Sequence, residues 1–205
     1  MIGNLTVRWI RHVASGATRD PFFAYVAPKA AHEPFVPAPW YDRTWRPDWP
    51  QQEPRGAAWN ASRDVRADHH GNIRSQPPLS PAAAAAITGV YKNRWRTLLS
   101  VDDLIDETLR ACDDVGRLDS TFFFFTSDNG YTLGEFSMPL DKRHVYDFDT
   151  RIPLLVRGPG IVPGSILSSP ATPVDLAPTF LAIAGESVGG RTLWSVRVRT
   201  ARRVC

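Results

Sequence analysis

The sequence predicts an α/β fold on three observations. Residues 122–125 are an unbroken run of phenylalanine between Thr121 and Thr126, and a short apolar run of this kind reads as a buried strand. Trp95, Leu98, Leu99, Ile105, Leu109 and Cys112 recur at three- and four-residue steps, the spacing of one buried helix face. A second apolar run, residues 152–156, follows, and strands alternating with helix argue for a sheet covered by helices.

The remaining elements follow in order. Leu5, Val7, Trp9, Ile10 and Val13, with basic residues between them, predict an amphipathic helix over residues 4–15. Residues 21–26 read as a strand. Residues 34–81 are rich in Pro, Trp and Arg without a steady period, which predicts a long surface excursion with at most short helices. Trp40, Tyr41, Trp45, Trp49 and Trp59 fall there. Such rings stack on sugar faces or pin proline-rich loops to a core, and packing is favoured because no ring position stands apart. Ser80-Pro81 opens a helix with a capping hydroxyl and a proline in the first turn. The alanines at 82–86 extend it, and Gly116 stops it. Residues 21–26, 121–126 and 152–156 are expected to be neighbours in one sheet, with this helix on its face. Residues 174–185 read as a short helix ended by Gly185.

With 205 residues the chain has room for one medium or two small domains. Its 43% hydrophobic and 22% charged residues are ordinary for a globular protein. A formal charge of +3 gives no reason to expect a nucleic-acid partner, although Arg191, Arg197, Arg199, Arg202 and Arg203 crowd the tail. No stretch approaches the roughly 20 apolar residues that span a bilayer, and Met1-Ile2-Gly3-Asn4 does not open a signal peptide. Cys112 and Cys205 are too few for a disulfide framework. Asn4-Leu5-Thr6 and Asn60-Ala61-Ser62 fit the N-glycosylation pattern, a short one that recurs by chance.

The candidate chemistry begins at Ser127-Asp128-Asn129-Gly130. A carboxylate and an amide stand together at a strand end, where α/β sheets gather ligands, and both offer the oxygen that hard cations prefer. The same four residues also read as an ordinary Asn-Gly turn. His32, just past the first strand, reads by itself as a capping or packing histidine in a turn. Lys142 reads by itself as a solvated surface charge. Asp102-Asp103 resembles a paired-carboxylate metal motif, but adjacent helix residues diverge by about 100°. A structural hydrogen bond or ion pair is expected there, with Asp102 on the buried stripe.

Several blocks, in this order, resemble the sulfatase family: Pro21-Phe22-Phe23-Ala24-Tyr25-Val26-Ala27-Pro28-Lys29-Ala30-Ala31-His32-Glu33-Pro34, then Ser127 to Gly130, then Asp141-Lys142-Arg143-His144-Val145-Tyr146-Asp147-Phe148-Asp149 with Arg151 to Gly160. Asn93-Arg94-Trp95-Arg96 through Asp103, and Gly134-Glu135-Phe136-Ser137-Met138-Pro139, are similar to the branch that acts on 6-sulfated glucosamine. The resemblance covers about residues 1–190 and implies part of an alkaline-phosphatase-like α/β sandwich, the second half of the catalytic domain. It implies hydrolysis of a sulfate ester on a glycosaminoglycan sugar. Asp128 and Asn129 become ligands of Ca²⁺, His32 the residue facing the leaving alcohol, and Lys142 the cation on the sulfate. Lys29 belongs to the pattern without a role, and His144 reads as a supporting loop residue. A lysosomal or secreted location is implied as well.

The family nucleophile is an aldehyde made from cysteine in a Cys-x-Pro/Ala-x-Arg pattern. Cys112-Asp113-Asp114-Val115 does not fit it, and no strand-end Asp-Asp precedes residue 21. The chain alone is therefore expected to be inactive and to need a missing N-terminal half. A non-catalytic glycan- or metal-binding remnant is the alternative. A phosphatase of the same superfold ranks last, because no His/Asp set for a second metal surrounds Asp128. Residues 191–205 read as a divergent arginine-rich tail or a misread coding segment.

Overall fold

The computed structural model describes residues 2–14 and 20–186. The arginine-rich tail expected at 191–205 lies outside the described residues. In chain order come helix α1 (Ile2–Ala14), short helix α2 (Gly71–Arg74), long helix α3 (Pro81–Asp114), strand β1 (Phe123–Thr126), one-turn helix α4 (Asp147–Thr150), strand β2 (Leu154–Arg157) and helix α5 (Leu176–Ile183). They fall into two compact units, one of Met1–Leu118 with Phe125–Leu154, the other of Asp119–Phe124 with Leu155–Cys205.

Helix α3 organises the first unit. The Ser80 hydroxyl accepts the Ala83 N–H at 3.2 Å and Pro81 takes the first turn, as the sequence predicts. The helix ends at Asp114, and Gly116 follows at φ +66°, the left-handed region that glycine enters without a steric penalty. Its buried face is Ile87, Tyr91, Thr97, Val101, Leu104, Ala111 and Cys112. The expected stripe is thus corrected: Leu98 and Ile105 are exposed, and so is Asp102. Polar Arg94, Thr97 and Thr108 complete the true face and hide its period. The Thr97 and Thr108 hydroxyls donate to the carbonyls of Arg94 (2.7 Å) and Leu104 (2.6 Å), so they can be buried without loss. Asp103 accepts the Tyr41 hydroxyl at 2.9–3.0 Å, the structural hydrogen bond expected of this pair. Helix α1 packs on α3 through buried Ile10 and Ala14.

The excursion after residue 34 is mostly irregular, and two buried charges hold it. Glu53 accepts the Thr88 hydroxyl of α3 at 2.8 Å and Arg55 Nε at 3.0 Å. Arg66 donates to the carbonyls of Ser62 (3.4 Å), Ile73 (3.2 Å) and Gln76. Trp45, Trp49 and Trp95 pack edge-on or tilted at 5.3–6.2 Å, and Trp59 donates its indole N–H to Leu133 O at 3.0 Å. These rings pin the loop to a core of Ile87, Tyr91 and Leu133. Asn60 is half-buried, and its Oδ1 accepts Leu79 N–H at 2.7 Å and the Ser137 hydroxyl at 3.2 Å, a structural role for one of the two glycosylation patterns.

The expected strand at 21–26 is not formed: residues 20–29 carry no strand among the described residues. A strand needs a ladder partner, and the described sheet contains β1 and β2 alone. Phe23 and Tyr25 stay exposed. The phenylalanine strand is half-buried rather than buried. In the second unit Phe124 packs edge-on against Phe180 of α5 at 5.0 Å. The entry to α5 is fixed by Asp175, which accepts the Thr172 N–H at 2.8 Å.

Candidate active site

The site lies entirely in the first unit and is built from the turn after β1 outward. Asp128 Oδ1 accepts the Asn129 N–H at 2.9 Å, and the Ser127 hydroxyl closes the turn on Asn129 O at 2.9 Å. Asn129 Nδ2 donates to Gly130 O at 2.6 Å, which leaves its Oδ1 as the unspent acceptor. Asp128 is exposed, with Oδ2 outside these bonds. The pair therefore offers two oxygens to a cation. Ca²⁺ takes roughly six to eight. Among the described residues no three His, Cys, Asp or Glu side chains gather as a metal set; the two oxygens are of the kind Ca²⁺ takes but would supply only part of its ligand shell.

The turn is strapped to residues 148–149. Gly130 N–H donates to Asp149 O at 2.7 Å and Tyr131 N–H to Phe148 O at 2.8 Å. A Cβ at position 130 would overlap the Phe148 carbonyl oxygen, so glycine is required by close approach. Asp149 itself is 4% exposed. Its carboxylate accepts the His144 N–H at 2.8 Å and the Thr132 hydroxyl at 3.1 Å.

Lys142 enters by the same framework. Thr132 bridges Asp141, its N–H donating to Asp141 O at 2.7 Å, and Asp141 Oδ1 accepts the Lys142 N–H at 2.8 Å. The Lys142 side chain is half-buried and has no ion-pair partner among the described residues.

His32 sits on an exposed turn that its own backbone closes, with His32 N–H on Lys29 O at 2.8 Å and Phe35 N–H on His32 O at 3.2 Å. Its Nδ1–H donates to Glu33 O at 3.2 Å. A carbonyl only accepts, so this contact sets the tautomer and a proton given from Nε2 requires the imidazolium. The turn is held to the rest of the site twice. Glu33 Oε1 accepts the Tyr131 hydroxyl at 3.1 Å, and Arg94 Nη1 of α3 donates to Ala31 O at 2.8 Å while its guanidinium lies 4.3 Å from the Tyr131 ring centre. Burial, then the Glu33 bond, pushes the Tyr131 phenol up to about 12, which keeps it a donor.

His32, Asp128, Asn129 and Lys142 are thus carried by three segments that one network joins, through their neighbours' bonds rather than their own. Glu33, Arg94, Tyr131 and Asp149 make that network. Each lies in or beside a motif block, yet nothing in the sequence distinguishes them, since Glu33 pairs with Tyr131 across 98 positions, Arg94 with Ala31 across 63 and Asp149 with Thr132 across 17. His144 is half-buried in the same loop, its backbone N–H held by Asp149.

The sulfatase family profile matches residues 4–186. The chain is 39% identical over 167 residues to human N-acetylglucosamine-6-sulfatase, spanning 81% of this chain but 29% of that protein. It is 28% identical to a Drosophila melanogaster extracellular sulfatase SULF-1 homolog over 100% of this chain and 18% of the relative. Among solved structures it is similar to BT4656 in complex with its substrate D-glucosamine-2-N,6-O-disulfate, with TM-score 0.66 and 24% identity over 91% of this chain and 49% of that one. That likeness carries the fold, an alkaline-phosphatase-like sandwich represented in part. The motif blocks, the strapped turn and the profile agree, and the chain belongs to the sulfatase family.

Proposed function

We propose that this chain forms part of a sulfuric ester hydrolase site for a sulfated sugar, the 6-sulfate of glucosamine in glycosaminoglycans. One observation carries the reading: the His32 turn, the Asp128–Asn129 turn and the Lys142 loop are tied together through Glu33–Tyr131, Gly130–Asp149 and Thr132–Asp141. The relation to N-acetylglucosamine-6-sulfatase supports the sugar. In this reading Lys142 faces the sulfate oxyanion, and the His32 imidazolium donates from Nε2 to the bridging oxygen as the alcohol leaves. Asp128 and Asn129 hold Ca²⁺, which when bound neutralises charge on the sulfate. A lysosomal or secreted location accords with the extracellular relative. No described helix is long and apolar enough to cross a membrane.

In this reading Cys112 is not the nucleophile, because Cys112-Asp113-Asp114-Val115 does not fit the Cys-x-Pro/Ala-x-Arg pattern. The purified chain with Ca²⁺ is therefore expected to release no sulfate from aryl sulfate or glucosamine 6-sulfate. Joined to a sulfatase segment carrying that pattern, it should turn over, and His32→Ala should then cut the rate by about 10²- to 10⁴-fold. Turnover by the chain alone that is lost in His32→Ala would refute that inactivity. A joined protein that binds glucosamine 6-sulfate but never hydrolyses it would favour the glycan-binding remnant.

With about two of six or more ligands present, Ca²⁺ binding by the chain should be weak, with Kd of order 10⁻⁴–10⁻³ M. Asp128→Ala should abolish it. Terbium luminescence titration reads this directly, and unchanged binding in Asp128→Ala would remove the metal from this turn.

A further inference from the structure

Beside His32 the turn 29–38 leaves a cavity of about 170 Å³ against helix α3, lined by Lys29, Ala30, His32, Pro34, Val36, Ala38, Thr97 and Ser100. The cavity follows from the local structure. Arg94, Thr97 and Ser100 share one α3 face at three-residue steps, and Arg94 anchors the turn through Ala31 O at 2.8 Å. The turn is thereby held over Thr97 and Ser100, but the small side chains Ala30 and Ala38 do not fill the space beneath it.

Two of its polar groups, Ser100 and Lys29, have unspent donors. Ser100 Oγ is buried without a hydrogen-bond partner among the described residues, an unusual state for a hydroxyl. Lys29 is exposed at the rim and has no ion-pair partner among the described residues, and His32 borders the space without a spare donor, its Nδ1–H being on Glu33 O. A cation and a hydroxyl donor suit an oxyanion. Val36, Pro34 and the alanines suit the carbon skeleton that carries it. The size also discriminates. Small-molecule pockets usually measure about 300–1,000 Å³, so this cavity admits one substituent rather than a whole sugar.

We infer that the Lys29–Ser100 cavity is a subsite for a second anionic substituent, a sulfate or a carboxylate, on the sulfated glycan whose 6-sulfate ester lies at His32 and Lys142. The inference rests on the proposed sulfate site, because His32 borders both. Lys29 is then a specificity residue: it selects doubly anionic sugars and takes no part in bond cleavage.

The test is calorimetric titration of the full chain with three probes: glucosamine 6-sulfate, glucosamine 2-N,6-O-disulfate, and a disaccharide joining a uronic acid to glucosamine 6-sulfate. At least one doubly anionic probe should bind about tenfold tighter than the monosulfate, the value of one charge-assisted hydrogen bond. The probe that shows this preference identifies the substituent as sulfate or carboxylate. Lys29→Gln should bring that ratio close to one, and Ser100→Ala, which deletes an unpaired hydroxyl, should lower it about threefold. Equal affinity for all probes, or a ratio that survives Lys29→Gln, would overturn the subsite. Lys142→Gln separates the two readings, since it should weaken all three probes alike. If it weakens none while Lys29→Gln still erases the ratio, the subsite stands and the sulfate-ester site fails. If no probe binds, both fail.

Discussion

Gly130→Ala is expected to destabilise the first unit by about 3 kcal/mol, the upper range for forcing an atom into a packed site. The new Cβ overlaps the Phe148 carbonyl oxygen, and the backbone has no easy retreat. The Gly130 N–H and Tyr131 N–H bonds to Asp149 and Phe148, at 2.7 and 2.8 Å, clamp the strap on both sides of the clash. Relief means lengthening both bonds, each worth about 1 kcal/mol net, and shifting Asp128 and Asn129 with them. Weaker terbium binding should therefore accompany the lower urea midpoint. Gly89→Ala is the control. It lies within α3 with nothing within 4 Å of its Cβ position, so alanine there should stabilise by about 0.5–1 kcal/mol through helix propensity. Urea denaturation at constant m resolves the two signs. A Gly130→Ala midpoint within about 1 kcal/mol of the parent would mean that the strap yields freely and does not position the turn.

Features set by local chemistry were legible in the sequence. Ser80-Pro81 and Gly116 mark the ends of α3 because capping and left-handed φ act over a few residues. The long irregular excursion and the packing role of Trp45, Trp49 and Trp59 were likewise readable from proline density and the lack of a period, whereas Trp40 stays 71% exposed. What failed depended on where polar side chains spend their hydrogen bonds and on distant partners. The α3 face was misassigned because Arg94, Thr97 and Thr108 spend their polarity on backbone or a neighbouring loop, and no hydropathy pattern records that. Residues 21–26 have strand composition, but strand formation depends on a neighbouring ladder. The site divides the same way. His32, Asp128, Asn129 and Lys142 belong to recognisable blocks. Arg94, Tyr131 and Asp149 acquire their roles only when α3 and the two loops meet.

Asp149→Ala should be about as costly as the glycine substitution, at about 3–5 kcal/mol, since hydrogen bonds to a charged group are worth about 1.5–3 kcal/mol each. The 4% exposed carboxylate serves the His144 N–H and the Thr132 hydroxyl, and alanine leaves the amide without its acceptor. Asp149→Asn separates geometry from charge. Its carbonyl oxygen can still accept from His144 N–H, and its NH₂ can donate to the Thr132 hydroxyl, which accepts as readily as it donates. The isosteric change should therefore cost only about 1 kcal/mol. Asparagine as damaging as alanine would show that the site needs the negative charge itself. Alanine costing less than about 1 kcal/mol would show that the loop is held elsewhere. The binding readout ties this to function. Asp149 holds the Lys142–His144 loop with its carboxylate and the Asp128–Gly130 turn with its carbonyl, so Asp149→Ala should weaken both glucosamine 6-sulfate and terbium binding. Lys142→Gln should weaken only the sugar and Asp128→Ala should abolish terbium binding. A variant that lowers stability but leaves both affinities intact would place Asp149 in the scaffold alone.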